Sequence, residues 1–171
     1  MANFEEQLYC DFGGVAQEGM AGKDILLCVF DKTGANLLAI AGQQGLTINR
    51  EKETIEVNTK TAGGWKQKVH GIKDWSIDLS GLYSKNHESH KVLEQAFAND
   101  DFLCLKVMDM KEKKPLFGGL AILGDFPIEA PFDDAVTYST TFSGTGPLVN
   151  LMETSGTAEQ LPDGYEEDPS V

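Results

Sequence analysis

The chain has 171 residues, 41% of them apolar and 24% charged, which is enough to bury a core as one soluble globular domain. Its 27 acids against 14 bases give a net charge of −13, which excludes ordinary sequestering of nucleic acid through the phosphates. No window approaches the roughly 18 consecutive apolar residues of a membrane helix, and the acidic start lacks the basic, then apolar pattern of a secretory signal, so folding in cytoplasm is expected.

Residues 1–23, with Gly13, Gly14, Gly19 and Gly22, predict irregular chain or an extended arm. Residues 25–31 (ILLCVFD) and 37–41 (LLAIA) predict two strands joined by a turn at Asp31 to Gly34. Two further strands follow at 46–50 and 54–58, where Leu46, Ile48, Ile55 and Val57 alternate with polar residues. The polar, glycine-ended stretch 59–64 cannot form a core and predicts an exposed loop tip. The chain returns as strands at 64–70 and 74–80, with Gly71 marking a bend or bulge between them. Trp75, Ile77 and Leu79 alternate as core anchors, whereas Trp65, beside the glycine tip, has no obvious place in a core.

One helix is predicted after Asn86 as N-cap, with Glu88 in the first turn and Val92, Leu93, Ala96 and Phe97 on its apolar face. That face must bury itself against a sheet, which makes Leu93 and Phe97 candidate core anchors. Strands are then predicted at 102–108, at 116–123 and, most clearly, at 135–143, where Val136, Tyr138, Thr140 and Phe142 alternate. Pro127 and Pro131 suit an edge or a crossing between strands. The domain is expected to span residues 1–150, followed by a mobile arm at 151–171 that carries six acids and no base.

The residues that could do chemistry do not assemble into a site. His87 and His90 are three apart at the helix start with only Glu94 as a third metal ligand, short of a metal signature. Ser139, Ser143 and His70 lie in no nucleophile elbow, and none of the glycine pairs stands in a phosphate-cradling frame. Cys28 and Cys104 sit inside apolar runs and are expected to be buried small hydrophobes; with Cys10 they form no zinc spacing and no disulfide framework. The expectation is a protein with no enzymatic activity, no catalytic residues, no metal and no cofactor.

Charge is unevenly spread. Residues 50–73 carry six bases, Arg50, Lys52, Lys60, Lys66, Lys68 and Lys73, against three acids, a local +3 on an acidic chain. Such a patch suits docking of one copy on another, and equally suits a solvated hairpin.

The block 46–83, continued through the helix to Phe97, resembles the major tail tube proteins of long-tailed bacteriophages, of the TP901-1-like major tail protein family. The resemblance is carried by the strand Gly45 to Ile48, the segment Ile55 to Lys60, the segment Gly64 to Gly71 and the strand Trp75 to Gly81. The closing strand from Val136 to Gly146 adds to it. It implies a mainly β fold of two packed antiparallel sheets, with one flanking helix and a long projecting hairpin. It further implies six-membered rings whose inner sheets join, stacked into a tube that conducts viral DNA through an acidic lumen. The hairpin, with Arg50, Lys52, Glu53, Thr54, Lys60, Thr61, Gly63, Gly64 and Trp65, would bridge to the next ring. The implied partners are further copies of the chain, a tape measure protein, a tail terminator and tail-tip proteins, with no membrane. The implied place is the virion tail, assembled in the bacterial host. Two other readings stay open: a soluble β-sandwich binding module using Trp65 and Tyr83 as a platform, and the tube of a contractile tail or secretion system.

Overall fold

A computed structural model describes residues 19–61 and 63–152, so the expectations for the start of the N-terminal arm, including Cys10, and for the acidic arm beyond residue 152 lie outside the described residues. Eight strands and one helix follow in the order β1 (Ile25–Phe30), β2 (Leu37–Ala39), β3 (Gln43–Glu56), β4 (Lys68–Leu82), α1 (Glu88–Asn99), β5 (Leu103–Asp109), β6 (Lys114–Asp125), β7 (Ile128–Glu129) and β8 (Thr137–Asn150). The expected mainly β, antiparallel class with one helix holds. The strands are joined into one hydrogen-bonded sheet, ordered β2-β1-β5-β6-β8-β4-β3, with the short β7 on β8.

This sheet curls on itself, because residues from both of its ends share one core: Leu27, Val29 and Leu38 with Trp75, Ile77, Leu79 and Phe142. The ends are tied at Gln43, the first residue of β3. Its carboxamide accepts from the Leu27 N–H at 2.9 Å and donates to the carbonyls of Leu27 at 2.6 Å and Ile40 at 2.9 Å. One side chain thus stands in for a neighbouring peptide group where β1 and β3 have none to offer each other.

The helix closes the end of the sheet away from the β3–β4 turn. His87, not Asn86, is its N-cap: the His87 ring accepts from the Ser89 N–H, and Asp100 ends the helix in the left-handed conformation at φ 56°. The buried face is Ser89, His90, Leu93 and Ala96, and Phe97 is 52% exposed rather than a core anchor. A three-to-four-residue spacing leaves two adjacent residues competing for the inward position, and Ala96 holds it. His90 stitches the helix to the sheet. Its Nδ1 accepts from the Ser84 N–H at 3.1 Å, and its Nε2 lies 3.0 Å from the Ala41 carbonyl, which also accepts from the Tyr138 hydroxyl at 3.2 Å. Burial of the ring pushes the His90 pKa below its ordinary value.

The two strand cysteines differ. Cys28 is buried among Ala39, Met108 and Met110 on the second face of β1, and burial pushes its thiol up to about 12. Cys104 is exposed, contrary to expectation. The reason is the two-residue period of β5: Leu103, Leu105 and Val107 point to the core, which turns Cys104 to the other face.

Candidate functional site

β3 and β4 are each one long strand rather than two short ones, paired from Gln43↔Gly81 to Glu56↔Lys68. β8 accompanies β4 only as far as Ser76↔Ser143, so beyond Trp75 the two strands leave the sheet as a free ribbon, with one further rung from the Val57 N–H to the Gln67 carbonyl. At 3.3 Å per residue the ribbon from Ser76 to Lys68 reaches roughly 25 Å before the tip begins. Its only ladder irregularity lies between Lys52 and Thr54, opposite Gly71, the bulge expected there.

Trp75 sits where the strands separate. Its indole lies flat on the backbone of Gly144 in β8 and Gly119 in β6, where an added Cβ would stand 2.1 Å and 2.6 Å from ring atoms. Its N–H donates to the Gly146 carbonyl at 2.9 Å. The ring covers β8 where its pairing with β4 stops at Ser143, while β8 keeps its β6 partner on to Asn150.

The residues expected to mark the hairpin divide into two groups. Arg50, Lys52, Glu53 and Thr54 lie on the stem, where Lys52 faces Lys73 and Thr54 faces His70 across the ladder. Arg50 is exposed, with its guanidinium 5.3 Å from the Phe117 ring centroid. Lys60, Thr61, Gly63, Gly64 and Trp65 gather at the tip, with Gly63 and Gly64 at φ 61° and 83° making the turn. Trp65 is 82% exposed, and Ile55, Val57, Val69 and Ile72 on the ribbon are exposed as well. Trp65 and Tyr83 lie at opposite ends of β4, and the Tyr83 ring stacks on His90 while its hydroxyl donates to Glu94, so the two form no common platform.

A second surface was not foreseen. The face of β3, β4 and β8 turned away from the core carries Thr47, Asn49, Ser76, Asp78, Ser80, Ser139, Thr141 and Ser143. The Asp78 carboxylate accepts from Asn49 at 2.7 Å and from Thr141 at 2.8 Å, which ties three strands together on that face. The alternation of β4 and β8 signals a polar face, but only the register puts its residues side by side.

A third feature is a groove of about 670 Å³ between α1 and the start of β5, lined by Val92, Ala96, Phe102, Cys104 and Leu120 and by Asp31 and Asp101. Among the described residues no group of three or more His, Cys, Asp or Glu is placed to hold a metal. His87, His90 and Glu94 are each engaged in the cap, the sheet contact and the Tyr83 bond described above.

The sequence profile of the phage tail tube protein family matches residues 19–150. Comparison with curated proteins finds no match. Among solved structures, the chain is similar to a protein of the tail of an empty gene transfer agent particle, refined with C6 symmetry, at TM-score 0.67 and 21% identity over 77% of this chain and 98% of that one. It is also similar to the SPP1 tail tube, at TM-score 0.67 and 14% identity over 90% and 93% of the two chains. The sheath–tube complex of an extracellular contractile injection system follows at TM-score 0.53 and 10% identity over 78% and 92%. These likenesses are of fold, while the profile match, which spans most of the chain and all eight strands, decides membership: the chain belongs to the phage tail tube protein family.

Proposed function

We propose that the chain is the repeating subunit of a viral tail tube: copies close into rings with the sixfold symmetry of the gene transfer agent tail, and rings stack into a conduit for DNA. The observation that carries this reading is the free hairpin. A two-stranded ribbon is marginal on its own in water, and this one exposes Trp65 and Ile72 at 82% and 77%. It is a structure that needs a partner surface. β3 adds to this: it ends the sheet and, among the described residues, pairs only with β4, so its outer row of backbone groups is open to another copy.

The polar face of β3, β4 and β8 is the candidate lumen wall. Hydroxyls and the Asp78 carboxylate hold water and offer no cation to a passing phosphate, so DNA would slide without being retained. Tape measure, terminator and tail-tip proteins are the expected further partners, and the tail of a virion the expected place. The distinguishing test is electron microscopy of the purified protein at rising concentration. Hollow tubes are expected from the parent chain, and unstacked rings or monomers with an intact melting transition from a chain lacking residues 54–64. A parent chain that stays monomeric by light scattering, with or without a tail-tip initiator, refutes the reading.

A further inference from the structure

We propose that the Trp65 indole of one copy seats in the groove between α1 and the start of β5 of a copy in the adjoining ring. The inference rests on the tail tube reading and adds to it the receiving surface.

Position comes first. The hairpin leaves the sheet at the Lys68 end of β4, whereas α1 follows the Leu82 end and is bonded to Ala41 at the foot of β3. Tip and groove therefore occupy opposite ends of the subunit, as a head-to-tail contact between stacked copies requires. Chemistry agrees with position. The tip offers one large flat apolar side chain with Lys60 and Lys66 beside it, Lys66 lying 3.6 Å from Glu56. The groove is lined by apolar Val92, Ala96, Cys104 and Leu120 together with Asp31 and Asp101. Lys32, 3.9 Å from Asp101, offsets one of these acids and leaves the lining with a net negative charge. Over the longer range the hairpin's +3 faces a chain of net −13, which draws tip towards groove and keeps tip from tip.

The groove is open to solvent, and its volume of about 670 Å³ leaves room for an indole ring. The exposed aromatics match the same polarity of the subunit. Phe97, Phe102 and Phe132 are all exposed, and all lie on α1, the loop after it or the loop before β8, away from the hairpin. Buried aromatic anchors dominate interfaces of this kind.

The native Cys104 in the groove makes the contact directly testable. In full-length protein with Cys10→Ser, Lys66→Cys places a thiol next to Trp65 without removing the indole; Cys28 is buried and unreactive. Tubes are first verified by electron microscopy and then treated with a short bis-maleimide. A covalent ladder on denaturing gels that disappears with Cys104→Ser is the expected result. Separately, Trp65→Ala and Leu120→Lys are each expected to raise the protein concentration needed for stacking by about tenfold or more, as loss of an interface anchor does. Leu120 is partly exposed on the face away from the core, so its variant is expected to keep the parent's melting temperature. Tubes that form normally yet give no Cys104-dependent ladder, with Leu120→Lys stacking like the parent, overturn the groove while leaving the tail tube reading intact. Normal stacking of Trp65→Ala overturns it as well. A parent chain that forms no tubes at all overturns the inference together with the reading beneath it.

Discussion

Replacing Gly144 by alanine tests the wedge that sends the hairpin out of the sheet. The new Cβ would lie 2.1, 2.3 and 2.4 Å from three atoms of the Trp75 indole, against an optimal separation of about 3.5–4.0 Å for carbon pairs. The ring must retreat by about 1.4 Å, yet Trp75 is only 6% exposed and is held by the Gly146 carbonyl. Overpacking of this kind costs about 1–3 kcal/mol, and losing the indole hydrogen bond adds about 1 kcal/mol. The variant should therefore be destabilised by about 2–4 kcal/mol, a fall in Tm of roughly 4–16 °C for a chain of this size.

The measurement is urea unfolding followed by circular dichroism, with Gly146→Ala as a control. Gly146 has φ 78° and no atom within 4 Å of an added Cβ, so its variant carries only the left-handed penalty of about 1–2 kcal/mol. Combining Gly144→Ala with Trp75→Leu, which vacates the space, should restore part of the loss and give less than the sum of the single effects. A Gly144→Ala chain within about 0.5 kcal/mol of the parent, or strict additivity in the double variant, would show that Trp75 does not wedge the strands apart.

Three further outcomes are expected. Because burial holds the folded-state pKa of His90 below that of the unfolded chain, ordinarily about 6.5, stability should be full above that pH. It should decline as pH falls through about 6.5 towards the lower folded pKa, since the unfolded state takes up the proton first. Urea midpoints against pH should show this slope in the parent and lose it in His90→Asn. Under native conditions a maleimide should label Cys104 and leave Cys28, with its thiol pushed up to about 12, unlabelled until the protein is denatured, as peptide mass spectrometry would read. Gln43→Ala removes the bonds that join the two ends of the sheet and leaves the Leu27 N–H without them, so a loss of about 1–3 kcal/mol is expected in the same urea assay.

Alternation made β4 below Trp75 and the first half of β8 legible, because one face of each packs on the core and the other carries hydroxyls and Asp78. It failed where that asymmetry is absent. From Glu51 to Glu56 every β3 residue is exposed, so β3 reads as a strand that stops and restarts, although its ladder continues past the register shift between Lys52 and Thr54. Phe97 and Cys104 were misplaced for a shared reason: an apolar residue in an apolar run says nothing about which neighbour takes the inward position. Ala96 and Leu103 hold the inward positions here. The groove could not be foreseen at all. It brings together the end of β1, two turns of α1, the start of β5 and Leu120 of β6, residues separated by up to 90 positions whose meeting is decided by the order of strands in the sheet. The exposed Trp65, by contrast, announced itself through the glycines beside it.

The charge pattern and the polarity of the subunit bear jointly on how a tube of such copies ends. A tip that docks only on the far end of another copy is a heterologous contact, and repetition along an axis produces an open filament rather than a closed particle. The net charge of −13 keeps free subunits apart, so under the proposed docking growth would depend on the basic ribbon meeting an acid-bearing groove and should weaken as salt shortens the Debye length from about 10 Å at 0.1 M to about 3 Å at 1 M. The last ring at one end would always present unfilled grooves, and the ring at the other would present free tips. Among the described residues nothing makes either end differ from an interior ring, so on the proposed reading a tube of defined length would need partners that cover each kind of end and a measure other than this chain. A terminator for one end should therefore offer an apolar, acid-rimmed recess, and a protein at the other should offer an aromatic group flanked by lysine or arginine.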